Sequence, residues 1–139
     1  MIVLDTGGLY AALDANEVLH GRSVAALVSA RPPRALSPFV LAELDYLIAQ
    51  RVGQEAQMAL LDEVARGAYQ LEPFTAEDVG LARRLMERYA DLHIGLADAS
   101  VVVLAHRHRT LDLLCTDERR FRALRGPGGK PFRLLPLDA

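Results

Sequence analysis

One cysteine, Cys115, occurs in the 139 residues, so neither a disulfide framework nor a thiolate metal cluster can form, and its setting in "LDLLCTD" reads as an inert core thiol. No long hydrophobic run is present either. The longest, "LADASVVVLA", contains Asp98 and falls short of the roughly 20 residues that span a bilayer, and the four apolar residues at the start are too few and wrongly flanked for a secretory signal. The expectation is a cytoplasmic protein with no membrane association. Charge of one sign is also lacking: the net charge is −2, which does not advertise a nucleic-acid partner for the chain as a whole. Only the tail from Glu118 onward is basic, with Arg119, Arg120, Arg122, Arg125, Lys130 and Arg133. Internal repeats and low-complexity segments are absent.

What is present is an ordinary globular composition, 51% hydrophobic and 24% charged. A chain of this length forms one domain, 1–139, and buries roughly 70% of its unfolded surface, enough for a core without staples. Short β-like runs alternate with helical patterns, the order of an α/β fold with a mostly parallel sheet. "IVLD" opens as a strand. Helical patterns over about 7–14 and 20–29 follow, then a strand near Ala35 and Leu36. Ser37 is placed to cap a helix whose first turn begins with Pro38. Another helix runs from Gly53 to about Arg66, "AYQLEPF" is a third strand, and Thr75 starts a capped helix with Glu77 and Asp78 in its first turn. "GLADASVVVLAHRH" is apolar around most of its circumference and reads as a buried central helix. "LDLLCT" is a fourth strand, "DERRFRAL" a short helix, and "RGPGGK" a turn into the closing strand "PFRLLPL".

The informative acids are those that do not fall on a solvated face. In "SPFVLAELDYLIAQ", at 100° per residue, Val40, Leu44, Leu47 and Ile48 form a stripe; Glu43 falls inside its edge and Asp45 on the opposite, solvent side. In the central helix Asp98 lies among Val101, Val102 and Ala105. A carboxylate in such a place costs several kcal/mol unless paired. Asp5 and Asp117 each end an apolar strand at a helix start. A parallel sheet puts the carboxyl ends of its strands along one edge, where ligands bind. That edge holds Asp5 and Asp117, and the helices can bring Glu43 and Asp98 to it. Four converging carboxylates call for a hard cation, and oxygen ligands without cysteine or placed histidine indicate Mg²⁺ or Mn²⁺ rather than zinc. Taken singly, Asp5 and Asp117 are equally readable as helix caps, and Glu43 and Asp98 as buried acids paired with an arginine.

"DTGGLYAALD", "LSPFVLAELDYLI", "LADASVVVLAHR" and "CTDERRF" resemble, in order, the signature segments of PIN-domain ribonucleases, in particular the VapC-like toxins of toxin and antitoxin pairs. The similarity spans essentially the whole chain. It implies a Rossmann-like three-layer α/β/α sandwich that cleaves RNA with Mg²⁺ or Mn²⁺. It also implies that the catalytic, metal-binding acids are Asp5, Glu43, Asp98 and Asp117, with Thr6 and Thr116 as neighbouring hydroxyl residues. Glu118 adds an acid beside Asp117. His20 stands where VapC-like sequences often carry histidine, with no chemical step assigned to it.

Other motifs carry less. His106 and His108 are two apart and face different ways, so a helix-end or surface role suits them, as it does His20 and His93. "GGLYAALD" lacks the third glycine of a dinucleotide fingerprint, and "RGPGGK" lacks the strand and the Ser or Thr of a P-loop. The function expected is a metal-dependent endoribonuclease, the toxin of a toxin-antitoxin pair, with a cognate small antitoxin as partner and a homodimeric assembly. The antitoxin would offer an arginine to the acids. The alternatives are a housekeeping PIN nuclease in RNA processing and a non-catalytic PIN module that binds RNA or protein.

Overall fold

The computed structural model describes residues 1–139. Five strands, β1 (Ile2–Leu4), β2 (Arg34–Leu36), β3 (Gln70–Leu71), β4 (Asp112–Cys115) and β5 (Arg133–Pro136), form one sheet in the order β3-β2-β1-β4-β5. Every pairing is parallel. Seven helices flank it: α1 (Thr6–Leu13), α2 (His20–Ser29), α3 (Pro38–Arg51), α4 (Gln54–Ala65), α5 (Ala76–Arg88), α6 (Leu96–His108) and α7 (Glu118–Phe121). The α/β fold with a parallel sheet read from the alternation of patterns, and the sandwich that the family resemblance implies, are the observed architecture.

The central strands are apolar throughout because both faces are covered. Ile2, Val3 and Leu4 of β1 and Leu113, Leu114 and Cys115 of β4 are all buried. The outer strand β3 is only two residues long and exposed, which leaves little edge for another chain to pair with. On α6 every residue from Ala99 to Ala105 is buried, as its all-round apolar pattern requires. It packs against α3 and α5. Buried Ser37 caps α3 by accepting from the Phe39 and Val40 N–H groups, and its hydroxyl shares a 2.6 Å hydrogen bond with Ser100 of α6. One side chain thus follows β2 directly, starts a helix and fixes a helix pair. Thr75 caps α5 in a reciprocal box with Asp78.

The helical phase of α3 differs from the sequence reading. Its buried positions are Val40, Leu44 and Ile48, a narrow i, i+4, i+8 row, while Phe39 and Leu47 are only partly covered. Glu43, between those two, is therefore exposed rather than set in an apolar stripe. Asp45 is the half-covered acid, and its carboxylate accepts a 2.8 Å hydrogen bond from Gln57 of α4.

Candidate active site

Parallel pairing puts the carboxyl ends of β1 and β4 side by side: the Asp5 N–H donates to the Leu114 carbonyl at 3.0 Å. Two glycines then let α1 start against β4. A Cβ on Gly8 would stand 2.3 Å from the Leu114 oxygen, and one on Gly7 would stand 2.8 Å from the Thr116 hydroxyl. Only hydrogen side chains permit this approach, which sets Asp5 and Thr6 beside the Thr116–Asp117 turn.

Asp5 is 4% exposed. Its side chain makes no capping bond to α1, so the cap reading fails for this residue. No arginine, lysine or histidine pairs with it either. Its side-chain contact is the Cys115 thiol, 3.6 Å from Oδ2. Burial, then the charges of Asp98 and Asp117, push its carboxyl up from an ordinary 3.8 to about 7; the Thr6 backbone N–H and the thiol offset this in part. Burial, together with the neighbouring Asp5 charge, drives the Cys115 thiol up as well, so it is an inert neutral group as its sequence setting suggests. The Thr6 hydroxyl is buried with no hydrogen-bond partner.

Asp98 stands in the first turn of α6, where its carboxylate accepts the Gly95 N–H at 3.1 Å. Arg120 donates to the same oxygen at 3.2 Å. The same Arg120 nitrogen is 3.9 Å from Asp117 Oδ2, while Asp117 Oδ1 accepts the Arg120 backbone N–H at 3.2 Å and so caps α7. Both alternatives raised from sequence, the cap for Asp117 and the arginine pairing for Asp98, are thus realised. They coexist with the convergence on Asp5.

The structure therefore brings Asp5, Asp98 and Asp117 within electrostatic reach of one another. Glu43 sits exposed on the second turn of α3, with no hydrogen bond or ion pair to this trio. No three His, Cys, Asp or Glu side chains are spaced to close on one ion as they stand. The donor set nevertheless suits a hard cation: a buried carboxylate without a counter-charge, a buried threonine oxygen without a partner, and two further carboxylates whose only neutralising group is one arginine. Sequence reasoning missed Arg120. Its signal was available, an arginine three residues after Asp117 on the same helix start.

The histidines fall at helix ends, as expected. His20, first residue of α2, has Nδ1 2.8 Å from the Ala11 carbonyl, and His106 and His108 lie in the last turn of α6. His108 bonds to Glu72 of the β3 terminus. "RGPGGK" forms a tight loop in which Gly128 and Gly129 adopt positive φ and Arg125 bridges to Pro131.

The family model described as PIN domain matches residues 2–127. Ribonuclease VapC26 of Mycobacterium tuberculosis is 43% identical over 135 residues, which cover 97% of this chain and all of that protein. Among solved structures, the M. tuberculosis toxin VapC20, which cleaves the sarcin-ricin loop, superposes with a TM-score of 0.78 at 22% identity, covering 84% of this chain and 90% of VapC20. A chain of Neisseria gonorrhoeae FitAcB aligns with a TM-score of 0.56 at 25% identity, over 78% of this chain and 83% of its own. VapBC2 of Rickettsia felis, solved with a promoter DNA fragment, aligns with a TM-score of 0.66 at 21% identity, over 96% and 98%. The order of segments, the parallel sheet with an acid after each of its two central strands, and the near full-length match to a VapC ribonuclease agree: this chain belongs to the PIN-domain family, among its VapC-type members.

Proposed function

We propose that this protein is an endoribonuclease that hydrolyses RNA phosphodiester bonds with Mg²⁺ or Mn²⁺, and that it is the toxin of a toxin-antitoxin pair. The observation that carries the chemistry is Asp5, a buried carboxylate with no cationic partner, flanked by Asp98 and Asp117 at the carboxyl edge of a parallel sheet. Burying Asp5 beside two further, partly exposed acids destabilises the apo protein, and a divalent cation would be the counter-charge that makes the arrangement useful. Asp5, Asp98 and Asp117 would hold the ion, with Glu43 as the fourth acid by its match to the family's segments. A cation held there would supply activation of a water nucleophile and counter-charge for the scissile phosphate.

The chain's own groups do the rest. Asp5, locked between β1 and β4, supplies the fixed member of the donor set, and Thr6 and Thr116 place hydroxyls at its side. Asp98 and Asp117 hold their carboxylates forward through the Gly95 and Arg120 N–H groups. Arg120 balances their charge in the apo state and stands beside the place an RNA phosphate would occupy. The toxin assignment is supported by the near full-length likeness to Ribonuclease VapC26, and VapBC2 and FitAcB suggest the class of small antitoxin as partner. Antitoxin binding over this edge and a homodimer are part of the same proposal.

Expression of the chain alone tests it. Growth arrest by the wild type and not by Asp5→Asn, relieved by the product of an adjacent small reading frame, is the expected result. Harmless expression of the wild type, with no co-encoded partner, overturns the toxin assignment in favour of a non-catalytic module.

A further inference from the structure

A cavity of about 410 Å³ opens beside the acid trio, lined by Asp91, Leu92, His93, Asp117, Arg119 and Arg120. Its walls come from two segments that each also carry a site acid. One is the 3-10 turn Ala90–Leu92 with His93, leading into α6 and Asp98; the other is the start of α7 after Asp117. Asp117, a member of the trio, and Arg120, the counter-charge of two of its acids, both line the cavity, so the two spaces adjoin. The size is that of a small-ligand site, at the low end of about 300–1,000 Å³.

The lining is polar apart from Leu92, which favours a charged ligand. The commitments of the four arginines in the segment decide which cation is free to meet an anion. Arg120 is paired with Asp98 and Asp117, Arg122 with Glu118 and Asp138, and Arg125 donates to the carbonyls of Arg122 and Leu124. Arg119 alone is exposed with no hydrogen bond or ion pair, and it lines the cavity. The His93 side chain is likewise without a partner. Of the two aspartates in the wall, Asp117 is already compensated by Arg120 and Asp91 is exposed without a partner, so Arg119 is the one uncommitted guanidinium there, with the His93 ring beside it, available to a phosphate oxygen.

Resting on the nuclease reading above, we propose that this cavity is a subsite for an RNA backbone phosphate next to the scissile one, bound by Arg119 with His93. Substrate that crosses the acids must continue along the sheet edge on one side or the other, and an acidic trio by itself repels a polyanion. A cationic group one nucleotide away compensates for that repulsion without entering the chemistry. Contacts of this kind set the register and carry no sequence information.

The experiment is RNA binding by the full chain in the Asp5→Asn background, followed by fluorescence anisotropy of a labelled single-stranded RNA as salt is varied. Adding Arg119→Ala should weaken binding about tenfold, alike for unrelated sequences, and lower the slope of log K against log salt by about 0.7, the loss of one phosphate contact on a single strand. Arg119→Lys, which keeps the charge, should restore the slope. His93→Asn, chosen because asparagine tolerates the left-handed backbone at this position (φ 51°), should weaken binding by a smaller factor. Arg84→Ala, an exposed arginine of α5, should leave both quantities unchanged. Equal affinity and slope with and without Arg119, while the wild type binds and cleaves RNA, overturns the subsite and leaves the nuclease reading intact. Absence of RNA binding together with absence of cleavage by the wild type overturns the nuclease reading and the subsite with it.

Discussion

Arg120 donates to Asp98 at 3.2 Å across a sequence separation of 22 residues, and the same nitrogen reaches toward Asp117. One guanidinium therefore serves as the counter-charge of two acids, and the third, Asp5, is left without one. Arg120→Gln removes that charge. Because Arg120 is 41% exposed, the pairing is partly screened, and the loss of metal-free stability should be about 1 kcal/mol or less in urea titrations. Mn²⁺ binding, read by electron paramagnetic resonance of the free ion, should tighten, because no internal cation competes for Asp98 and Asp117. Weaker Mn²⁺ binding would mean that Arg120 positions the acids rather than competing for them.

Asp5 makes stability depend on pH in a direction opposite to that of carboxylates held ionised by a cation or by N–H donors. The folded protein keeps the Asp5 proton up to about pH 7, whereas the unfolded chain releases it near 3.8, so between these values the native state binds more protons. Stability from this group therefore falls as pH rises from about 4 to 7, by an amount of order 4 kcal/mol if the whole interval is realised. Asp5→Asn removes the effect. The variant should be more stable than the wild type at pH 8 in the presence of a chelator and close to it at pH 4, measured as the difference between the two proteins so that acids with lowered pKa, such as Asp78 and Asp138, cancel. A variant less stable than the wild type at pH 8 would show that the Asp5 carboxylate is structurally required.

Most of the elements are legible in the chain because their causes are local. Ser37 followed by Pro38, Thr75 with Asp78, and the apolar run after Asp98 in "ADASVVVLA" each fix a helix start or a burial class within a few residues. Asp5, Asp98 and Asp117 were visible for the same reason, as acids at the end of an apolar strand or inside an apolar helix. The environment of Glu43 was misread because Phe39 and Leu47 look like core and are in fact only partly covered, which narrows the buried row of α3 and turns the acid outward. Arg120 against Asp98, Cys115 against Asp5, and the cavity beside His93 depend on how distant segments meet, and no local pattern encodes them.

Gly8 is the tightest point of the site. A methyl group there meets backbone atoms of Leu114 at 2.3 and 2.4 Å, which cannot turn aside. Gly8→Ala should cost about 3 kcal/mol in equilibrium unfolding and should reduce cleavage further than stability explains, since α1 has to lift away from β4 and separate Asp5 from Asp117. Unchanged stability would mean that β4 and α1 can slide apart freely.

The two acids of α3 should separate by function. Asp45→Ala removes the acceptor for Gln57 and should cost about 1 kcal/mol with little effect on cleavage. Glu43→Gln, exposed and unpaired, should leave the melting temperature unchanged and lower metal-dependent cleavage. Full activity of Glu43→Gln in a thermal-shift and cleavage pair would remove Glu43 from the donor set.

The most direct measurement is cleavage of a labelled single-stranded RNA by the purified chain, freed of any partner, with Mg²⁺ or Mn²⁺ and with a chelator, for the wild type and for Asp5→Asn shown by circular dichroism to be folded. Endonucleolytic products with the wild type and metal, none with the chelator, and none with folded Asp5→Asn under either condition are the expected results. Cleavage that persists in the chelator, or that folded Asp5→Asn retains, would contradict a metal centre built on Asp5.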